Sequence, residues 1–220
     1  KHGRREMLEW CDKAYDYVQE IDKEFSDWLC VPRSKRTTSI KPSGTVSLLN
    51  GSTPGIHYPE AEYYIRRIRF SIGNSILQAI EEAGYHIEKD AYSPNTMVAS
   101  FPVHEPFFQK GKNEATMWEQ LEIAAAYQHY WADNSVSVTV TFKADEAKDI
   151  KTALEMYESR LKAVSFLRYQ ETGYEQAPYE PITKEQYEEM MVGVTPIQRI
   201  KTEQQGAGTV FCDGDSCEIG

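Results

Sequence analysis

Apolar residues recur every three or four positions along the start of the chain and predict an amphipathic helix over residues 4–26. The apolar stripe consists of Met7, Cys11, Ala14, Val18, Ile21 and Phe25. Charged residues fill the other positions, so we expect one face of the helix to be buried. Because Cys11 lies on the stripe, we interpret it as a buried structural thiol, and we expect Cys30 to be buried as well.

Strand patterns and helix patterns alternate over most of the remaining chain. We predict strands over residues 37–40, 65–70, 96–103, 135–142 and 164–169, and helices over residues 76–83, 114–131 and 145–161. The clearest strand is 135–142, where valines alternate with serines and threonines. The last strand, helix and strand form a βαβ unit, which implies a parallel pair with a right-handed crossover. We therefore expect a parallel α/β layer architecture, either open or closed into a barrel.

The C-terminal region contains a short predicted helix and then changes in character. Thr183 and Gln186 have the spacing of a capping box, which predicts a helix that runs to about Met191. After Gly193 the composition is that of a flexible tail. We accordingly divide the chain into residues 1–192 and residues 193–220.

The composition limits the classes of function that the chain can serve. The chain has 220 residues and a formal net charge of −10, which excludes a generic DNA- or RNA-coating role, because phosphate contacts need a basic surface. No apolar run approaches the length of a membrane span. We find no secretory signal, and the four cysteines do not form a disulfide scaffold, so we expect a reducing, cytoplasmic setting. The first residue is not Met, and we expect the chain to be the C-terminal part of a longer protein.

Basic residues are concentrated between positions 33 and 69, against the overall negative balance. This stretch carries Arg33, Lys35, Arg36, Lys41, Arg66, Arg67 and Arg69 against only Glu60 and Glu62, a net charge of +5. It could serve a small anionic ligand. It is equally compatible with a solvated basic face that balances acidic helices.

The first feature that suggests chemistry is a loop that follows the predicted strand 37–40. Its residues are Pro42, Ser43, Gly44, Thr45, Val46 and Ser47. Such a loop offers free backbone N–H groups and hydroxyls, which bind phosphate, and Gly44 lets the backbone approach the ligand closely. The Walker pattern is absent. A plain turn with a helix cap is the alternative for these residues.

The second feature is a pair of cysteines, Cys212 and Cys217, near the end of the chain. On a mobile tail, two thiols at this spacing can exchange with a disulfide elsewhere in the protein. Two unpaired exposed cysteines are the alternative, and we favour the redox interpretation because free exposed thiols are a liability. A metal site is not supported, since no further soft ligands lie nearby. Four of the five histidines, His57, His86, His104 and His129, are scattered along the chain.

Three segments closely resemble the C-terminal part of ribonucleotide reductases, namely residues 38–47, 51–57 and 133–137. With the terminal cysteine pair, the resemblance covers essentially the whole chain. The match is closest to the monomeric, adenosylcobalamin-dependent (class II) ribonucleoside-triphosphate reductases. The tyrosyl-radical class has a Tyr-Tyr pair after the helix that matches 145–161, whereas this chain has Ser-Phe-Leu-Arg-Tyr over 165–169, which favours the cobalamin class.

The resemblance implies a fold and a division of roles. The fold would be the C-terminal part of the family's ten-stranded α/β barrel, followed by a flexible redox tail. Residues 42–47 would hold the substrate phosphates, while Cys212 and Cys217 would re-reduce an active-site disulfide and be reduced in turn by thioredoxin. The radical cysteine and the catalytic carboxylate would lie upstream, because the family's Asn-x-Cys-x-Glu pattern is not in this chain. The cobalamin contacts carry no motif that identifies them.

We therefore predict the C-terminal segment of a reductase that converts ribonucleoside triphosphates to 2'-deoxyribonucleoside triphosphates. Thiyl-radical chemistry would be started by adenosylcobalamin, in a monomer that has no nucleic-acid or membrane partner. The alternative is a non-catalytic nucleotide-binding module whose C-terminal dithiol senses redox state, and dependence on cobalamin distinguishes the two. Because strands of a closed barrel expose their edges without their partners, we expect the isolated chain neither to fold alone nor to be active.

Overall fold

A computed structural model describes residues 3–42, 47, 52–169 and 175–197. These residues form two compact units. The first consists of residues 3–64 and 104–169, and the second of residues 65–103 and 175–197, within the described ranges. No helix of the described residues is long and apolar enough to cross a membrane.

The first unit begins with helix α1, Arg4–Leu29, which confirms the predicted amphipathic helix and extends it by three residues. Met7, Cys11, Val18 and Ile21 lie half-buried on one face, whereas Ala14 and Phe25 are exposed. The prediction of a fully buried thiol at Cys11 is therefore wrong, because this face of the helix is only partly covered in the described residues. The helix ends at Cys30, which adopts the left-handed conformation at φ 54°. The prediction that Cys30 is buried is wrong: its thiol is exposed, because the residue turns the chain out of the helix.

The core of the first unit is a βαβ arrangement with a further helix packed on it. Helix α3, Met117–Tyr130, precedes strand β4, Thr139–Phe142, and helix α4, Ile150–Tyr157, leads to strand β5, Ser165–Arg168. Strands β4 and β5 pair in parallel, with Thr139 opposite Ser165 and Phe142 opposite Arg168, which confirms the predicted parallel pair. The fully buried side chains of this core include Met117, Leu121, Val136, Val140 and Ala153.

Strand β4 is shorter than its sequence pattern predicted, and the predicted strand 37–40 does not form. Val136 and Val138 are buried as the alternation required. However, Asn134 and Ser137 donate their backbone N–H groups to the carbonyls of Thr38 and Ile40, at 3.1 and 3.0 Å. The two segments therefore pair by isolated hydrogen bonds rather than as a regular ladder. The predicted helix 145–161 is likewise divided, into a 3₁₀ turn, Ala147–Asp149, and α4.

The second unit contains a four-stranded sheet in the order β2-β3-β1-β6. Its strands are β1, Tyr63–Ser71; β2, His86–Lys89; β3, Thr96–His104; and β6, Tyr179–Pro181. Strands β2 and β3 are antiparallel, with His86 opposite Ser100, so the expectation of parallel pairing throughout is wrong for this sheet. The sequence pattern missed β2 and β6, because both are short and rich in polar residues or proline.

Two helices complete the second unit and agree with the sequence. Helix α2, Ile76–Glu82, ends two residues before Gly84, whose φ is +89°. Helix α5, Lys184–Met191, opens with the predicted capping box, in which the Thr183 side chain accepts the N–H of Gln186 and the Gln186 side chain accepts that of Thr183. In the first unit, a second capping box, of Thr116 and Glu119, precedes α3, which begins three residues after the predicted position.

Candidate functional site

The predicted phosphate loop lies only partly within the described residues. Pro42 and Ser47 are described, whereas Ser43, Gly44, Thr45 and Val46 lie outside the described residues, as do Cys212 and Cys217 of the predicted redox tail. The structure therefore describes the two segments that flank the loop. We call residues 37–42 the first stem and residues 52–57 the second stem.

The first stem is held by the carboxylate of Asp133. One carboxylate oxygen accepts both the backbone N–H and the hydroxyl of Thr37, at 2.9 and 3.0 Å. The other oxygen accepts the phenol of Tyr15, from helix α1, at 2.8 Å. The Thr37 N–H, followed by the Tyr15 and Thr37 hydroxyls, lowers the pKa of Asp133, because these donors favour its charged form.

The bonds of the first stem continue along the segment that follows helix α3. The Asp133 backbone N–H donates to the hydroxyl of the buried Thr38 at 3.0 Å, and the indole of Trp131 donates to the carbonyl of Ser39 at 3.3 Å. The side chain of Gln128 supports this segment from the helix, donating to the carbonyls of Ala132 and Asn134 and accepting the N–H of Val136. A network of this kind fixes the direction in which the chain enters the loop.

The second stem lies directly against the first. A Cβ atom placed on Gly55 would lie 2.8 Å from the carbonyl oxygen of Lys41, and φ at Gly55 is +60°. Both the close approach and the backbone conformation require glycine here. Ser52 also donates its N–H to the carbonyl of Ser47 at 3.1 Å. The two stems therefore approach each other through backbone atoms.

His57 ties the second stem to the core strand β4. Its Nε2 accepts the backbone N–H of Thr139 at 3.1 Å, and its Nδ1 lies 2.7 Å from the carbonyl oxygen of Pro54. Because a backbone N–H can only donate, Nε2 must be unprotonated, and the proton of the neutral ring resides on Nδ1. The ring therefore bridges the loop base and the first residue of β4 in one tautomer.

An aromatic cleft of about 540 Å³ opens beside the second stem. Its walls include Tyr58, Glu105, Phe107, Phe108 and Lys110, besides His57. Glu105 is buried and accepts the phenol of Tyr64 at 2.9 Å. Lys110 donates to both carboxylate oxygens of Glu119. Burial, and then the charge of Glu119, raises the pKa of Tyr58, so this phenol remains neutral at ordinary pH.

Three of the seven cations in the basic stretch serve a structural role instead of forming a free anion site. Arg66 and Arg67, on β1, donate to the carbonyls of Pro178 and Ala177, each at 3.0 to 3.1 Å, and Arg67 also pairs with Glu180. Arg69 pairs with the carboxylate of Asp90 at 3.0 Å. Arg66 and Arg67 thus attach the segment after residue 175 to the sheet of the second unit. The interpretation as an anion site, which the sequence left open, is thus not supported for Arg66, Arg67 and Arg69.

No group of three or more His, Cys, Asp or Glu side chains suited to a metal ion occurs in the part of the chain that the structure describes. His57, His86, His104 and His129 make separate contacts. The ring of His104 stacks on that of Tyr63, with 4.6 Å between the ring centroids, and His129 packs edge-on against Tyr130. His86 lies 3.7 Å from Glu88.

Sequence reasoning did not single out Gly55, His57 or Asp133 as parts of one arrangement. His57 is one of the scattered histidines, but it is also the last residue of the loop-forming run 51–57, and this position is the signal that the sequence offers. Gly55 follows Pro54 in the same run, a pattern that marks a tight turn. The pairing of Asp133 with Thr37 joins positions 96 apart, and only the fold reveals it.

The chain is similar to ribonucleotide reductases over nearly its whole length. It is 42% identical to the adenosylcobalamin-dependent ribonucleoside-triphosphate reductase of Euglena gracilis, over 98% of this chain and 31% of that protein. A probable reductase of the same name from Dictyostelium discoideum is 40% identical over 99% of this chain and 30% of its own length. No protein-family profile matches. The resemblance drawn from the sequence is therefore confirmed by these relatives.

A solved structure extends the similarity to the fold. The crystal structure of a B12-dependent (class II) ribonucleotide reductase superposes with a TM-score of 0.79 at 34% identity, over 89% of this chain and 28% of that one. This likeness supports an α/β fold. The chain spans about 30% of the length of the relatives that it matches.

Proposed function

We propose that this chain is a segment of an adenosylcobalamin-dependent ribonucleoside-triphosphate reductase. The whole protein would replace the 2'-hydroxyl of a ribonucleoside triphosphate with hydrogen by thiyl-radical chemistry. The observation that carries the proposal is the similarity of nearly the entire chain to reductases of this name, at 42% and 40% identity for the two relatives above. In this proposal the βαβ core and the sheet are parts of the family's ten-stranded barrel, residues 1–192 belong to the barrel domain, and residues 193–220 form a redox tail.

The role proposed for residues 42–47 is to hold the substrate phosphates. A loop that binds phosphate through backbone N–H groups needs its ends fixed, because the donors must converge on one anion. The described stems meet this need, since Asp133 fixes the first and His57 the second. Lys41, at the base of the loop, adds a positive charge that favours an anionic ligand.

Adenosylcobalamin would supply the radical when it is bound to the whole protein. One cavity of about 1010 Å³ is lined by charged groups such as Asp12, Asp16, Glu122 and Lys162, and the aromatic cleft beside His57 is about half as large. Neither lining identifies a contact to the cofactor. We therefore assign no cofactor contact to a residue of this chain. The remaining 70% of the parent chain would supply much of that site, together with the radical cysteine and the catalytic carboxylate.

The role proposed for Cys212 and Cys217 is to return electrons to the active site. One tail thiolate would attack the active-site disulfide, and the second would displace the mixed disulfide. Two electrons pass to the active-site thiols, and a disulfide remains between Cys212 and Cys217. Thioredoxin would then reduce that disulfide, in the cytoplasm, where thiols are kept reduced. We propose that the enzyme acts as a monomer.

The test uses the full-length protein with Cys212→Ser and Cys217→Ser combined. Turnover driven by thioredoxin is expected to be lost, whereas turnover driven by a small dithiol, which reaches the active-site disulfide directly, is expected to persist. Cys30→Ser is the matched control, because that thiol is exposed but lies outside the tail. If the double variant used both reductants as well as the wild type does, the proposed role of the tail would be wrong.

The alternative of a non-catalytic nucleotide-binding module is not favoured. The relatives named above are reductases, and their names state a dependence on adenosylcobalamin. A binding module would show the same ribonucleoside triphosphate affinity with and without that cofactor, and it would form no deoxyribonucleotide.

A further inference from the structure

The edge of strand β4 that faces away from β5 is filled by side chains. The side-chain amide of Gln120 donates to the carbonyl of Thr141 at 2.8 Å and accepts the backbone N–H of the same residue at 2.9 Å. His57 accepts the N–H of Thr139, the first residue of the strand. The Gln120 amide thus takes the place of one residue of a neighbouring strand, and no further strand can pair with β4 at these positions.

Two other sheet edges in the described part of the chain are closed in comparable ways. On β2, the side chain of Gln176 donates to the carbonyl of Lys89 and accepts the N–H of Ala91, each at 2.8 Å. Strand β6 has three residues and ends in Pro181, which has no backbone N–H. Features of this kind prevent a sheet edge from pairing with another strand.

The outer edge of β5 has no such feature among the residues that the structure describes. Ser165 and Tyr169 donate their N–H groups to carbonyls of β4 and the residue next to it, at 3.4 and 2.8 Å. Because successive residues of a strand bond to opposite sides, the N–H groups of Phe166 and Arg168 point to the other edge. Within the described ranges β4 and β5 form a sheet of two strands, so no neighbouring strand covers this edge there.

The pair of strands is also uncovered on one face. Phe166 packs against the core, with its ring centroid 6.4 Å from that of Phe142. Leu167 points to the opposite face, because side chains alternate along a strand, and it is 55% exposed. Two strands are too few for a stable sheet, and parallel sheets are ordinarily covered on both faces. The β4–β5 pair therefore needs further structure from outside the described residues.

We propose that a β-strand from the rest of the parent protein pairs with the outer edge of β5, through the backbone groups of Phe166 and Arg168. The inference rests on the proposed function, which makes this chain a segment of a longer protein. The chain spans about 30% of the length of its relatives, so the remainder is long enough to supply strands. A strand of the same protein is present at a high effective concentration beside β5, and it therefore pairs in preference to a second copy.

Amide hydrogen exchange in the full-length protein tests this pairing without any measurement of activity. We expect the amides of Phe166 and Arg168 to exchange at least about a hundredfold more slowly than unprotected amides, as paired strand amides do. Leu167 is the internal reference, because its N–H faces β4 by the same alternation. Slow exchange at Leu167 together with fast exchange at Phe166 and Arg168 would overturn the inference.

Proline substitution in the full-length protein distinguishes a paired edge from a free one. Arg168→Pro removes one outward N–H. We expect it to lower the melting temperature by at least about 2 °C more than Arg168→Ala does, because a ladder hydrogen bond is lost.

The matched control is Lys89→Pro, compared with Lys89→Ala. Lys89 is likewise an exposed cation at the last position of a four-residue strand, and its carbonyl faces the edge that Gln176 closes. We expect the two Lys89 variants to have nearly the same melting temperature, since proline is tolerated at a free edge. An equal effect of proline at both positions would contradict pairing at β5, because it would reflect only the strain of proline in a strand.

Two further outcomes would identify a different partner and overturn the inference. Protection of Phe166 and Arg168 that increases with protein concentration would indicate a second copy. Protection that is lost when residues 193–220 are deleted would indicate the C-terminal tail.

A failure of the proposed function gives a different result from a failure of this inference. A full-length protein that forms no deoxyribonucleotide but exchanges slowly at Phe166 and Arg168 would support the pairing and contradict the proposed function. An active reductase that exchanges rapidly at both amides would contradict the pairing alone.

Discussion

The carboxylate of Asp133 accepts both the backbone N–H and the hydroxyl of Thr37, although 96 positions separate the two residues. Through this contact, the segment that follows helix α3 determines where the first stem of the loop lies. The tyrosine of α1 that donates to the same carboxylate, Tyr15, adds a third element to the junction. Asp133 also donates its backbone N–H to the hydroxyl of Thr38 at 3.0 Å, so two of the segments that resemble the reductases are in direct contact here.

Replacing Asp133 with asparagine is expected to loosen the first stem. The variant Asp133→Asn keeps the shape of the side chain but loses the charge and one acceptor oxygen, and bonds to a charged group contribute about 1.5–3 kcal/mol each. Amide exchange of Thr37 and its neighbours should become at least about tenfold faster. Asp145→Asn, at an exposed position, is the control. Unchanged exchange at Thr37 in Asp133→Asn would contradict the role given to the junction.

Acid is expected to weaken the first unit through Glu119 and Glu122, whose pKa values are both about 2. Hydrogen bonds from Lys110 lower the pKa of Glu119, and those from Arg160 lower that of Glu122. A lowered pKa means that the stabilisation is complete above the ordinary pKa of glutamate and is lost as the pH falls toward the lowered value. The melting temperature should therefore decline below about pH 4.5 and continue to decline toward pH 2.

The variant Glu119→Gln separates the charge from the helix cap. Glutamine preserves the capping box with Thr116 but loses the pairing with Lys110. Since both partners are partly exposed, solvent screens the pairing, and the decrease in melting temperature at neutral pH should be small. As the pH falls toward the lowered pKa of about 2, the variant and the wild type should converge, because a growing share of the wild-type carboxylate is then also neutral. A difference that does not shrink between pH 4.5 and pH 2 would show that the capping bonds, and not the charge, are responsible.

The sequence predicted local structure well where one face of an element is buried. The alternation of Val136, Val138 and Val140 corresponds to buried positions, and the capping box of Thr183 starts a helix as predicted. It failed at Cys30, because the apolar neighbours Trp28 and Leu29 suggested burial while the chain turns outward there. It also failed at β2, where His86 and Lys89 give no apolar alternation and the strand depends on its pairing with β3.

The sequence indicated which residues belong to the candidate site, but it did not indicate how they are arranged in space. The residues of the loop indicated phosphate binding, but nothing local to them indicates that Asp133 fastens one stem and that Thr139 fastens the other. These hydrogen bonds join segments that are far apart along the chain, and such pairings cannot be deduced from a single sequence. The arginines Arg66 and Arg67 show the converse: their charge suggested a ligand, and their neighbours in space are backbone carbonyls.

Alanine at position 55 is expected to spread the two stems. In Gly55→Ala, the added Cβ would lie 2.8 Å from the Lys41 carbonyl at a positive φ, so the backbone must shift, at a cost of about 1–2 kcal/mol from the conformation alone. KM for the ribonucleoside triphosphate should rise. Gly73→Ala is the matched control, because φ is +90° there but no atom lies within 4 Å of the added carbon. Equal effects of the two substitutions on KM would contradict a specific role for the stem contact.

The C-terminal end of helix α1 presents an apolar surface that we define by Phe25, Trp28, Leu29 and Val31. Their side chains are 47%, 77%, 65% and 52% exposed. Because the relatives are about three times as long as this chain, we expect the rest of the parent protein to cover this surface. Trp28→Ser should lower the melting temperature of the full-length protein, by an amount that corresponds to about 2 kcal/mol or more, and should reduce aggregation of the isolated chain.

The control for this surface is Glu24→Ser, at an exposed charged position on the same helix. It should leave both the melting temperature and the aggregation nearly unchanged. If Trp28→Ser also left the melting temperature of the full-length protein unchanged, the surface would not be covered by the rest of that chain.

The central claim is tested most directly by measuring 2'-deoxyribonucleoside triphosphate formed by the full-length protein, with and without adenosylcobalamin. With a small dithiol as reductant, the account predicts product that increases with time in the presence of the cofactor and none in its absence. Binding of the ribonucleoside triphosphate without any deoxyribonucleotide, or product that forms equally well without adenosylcobalamin, would contradict it.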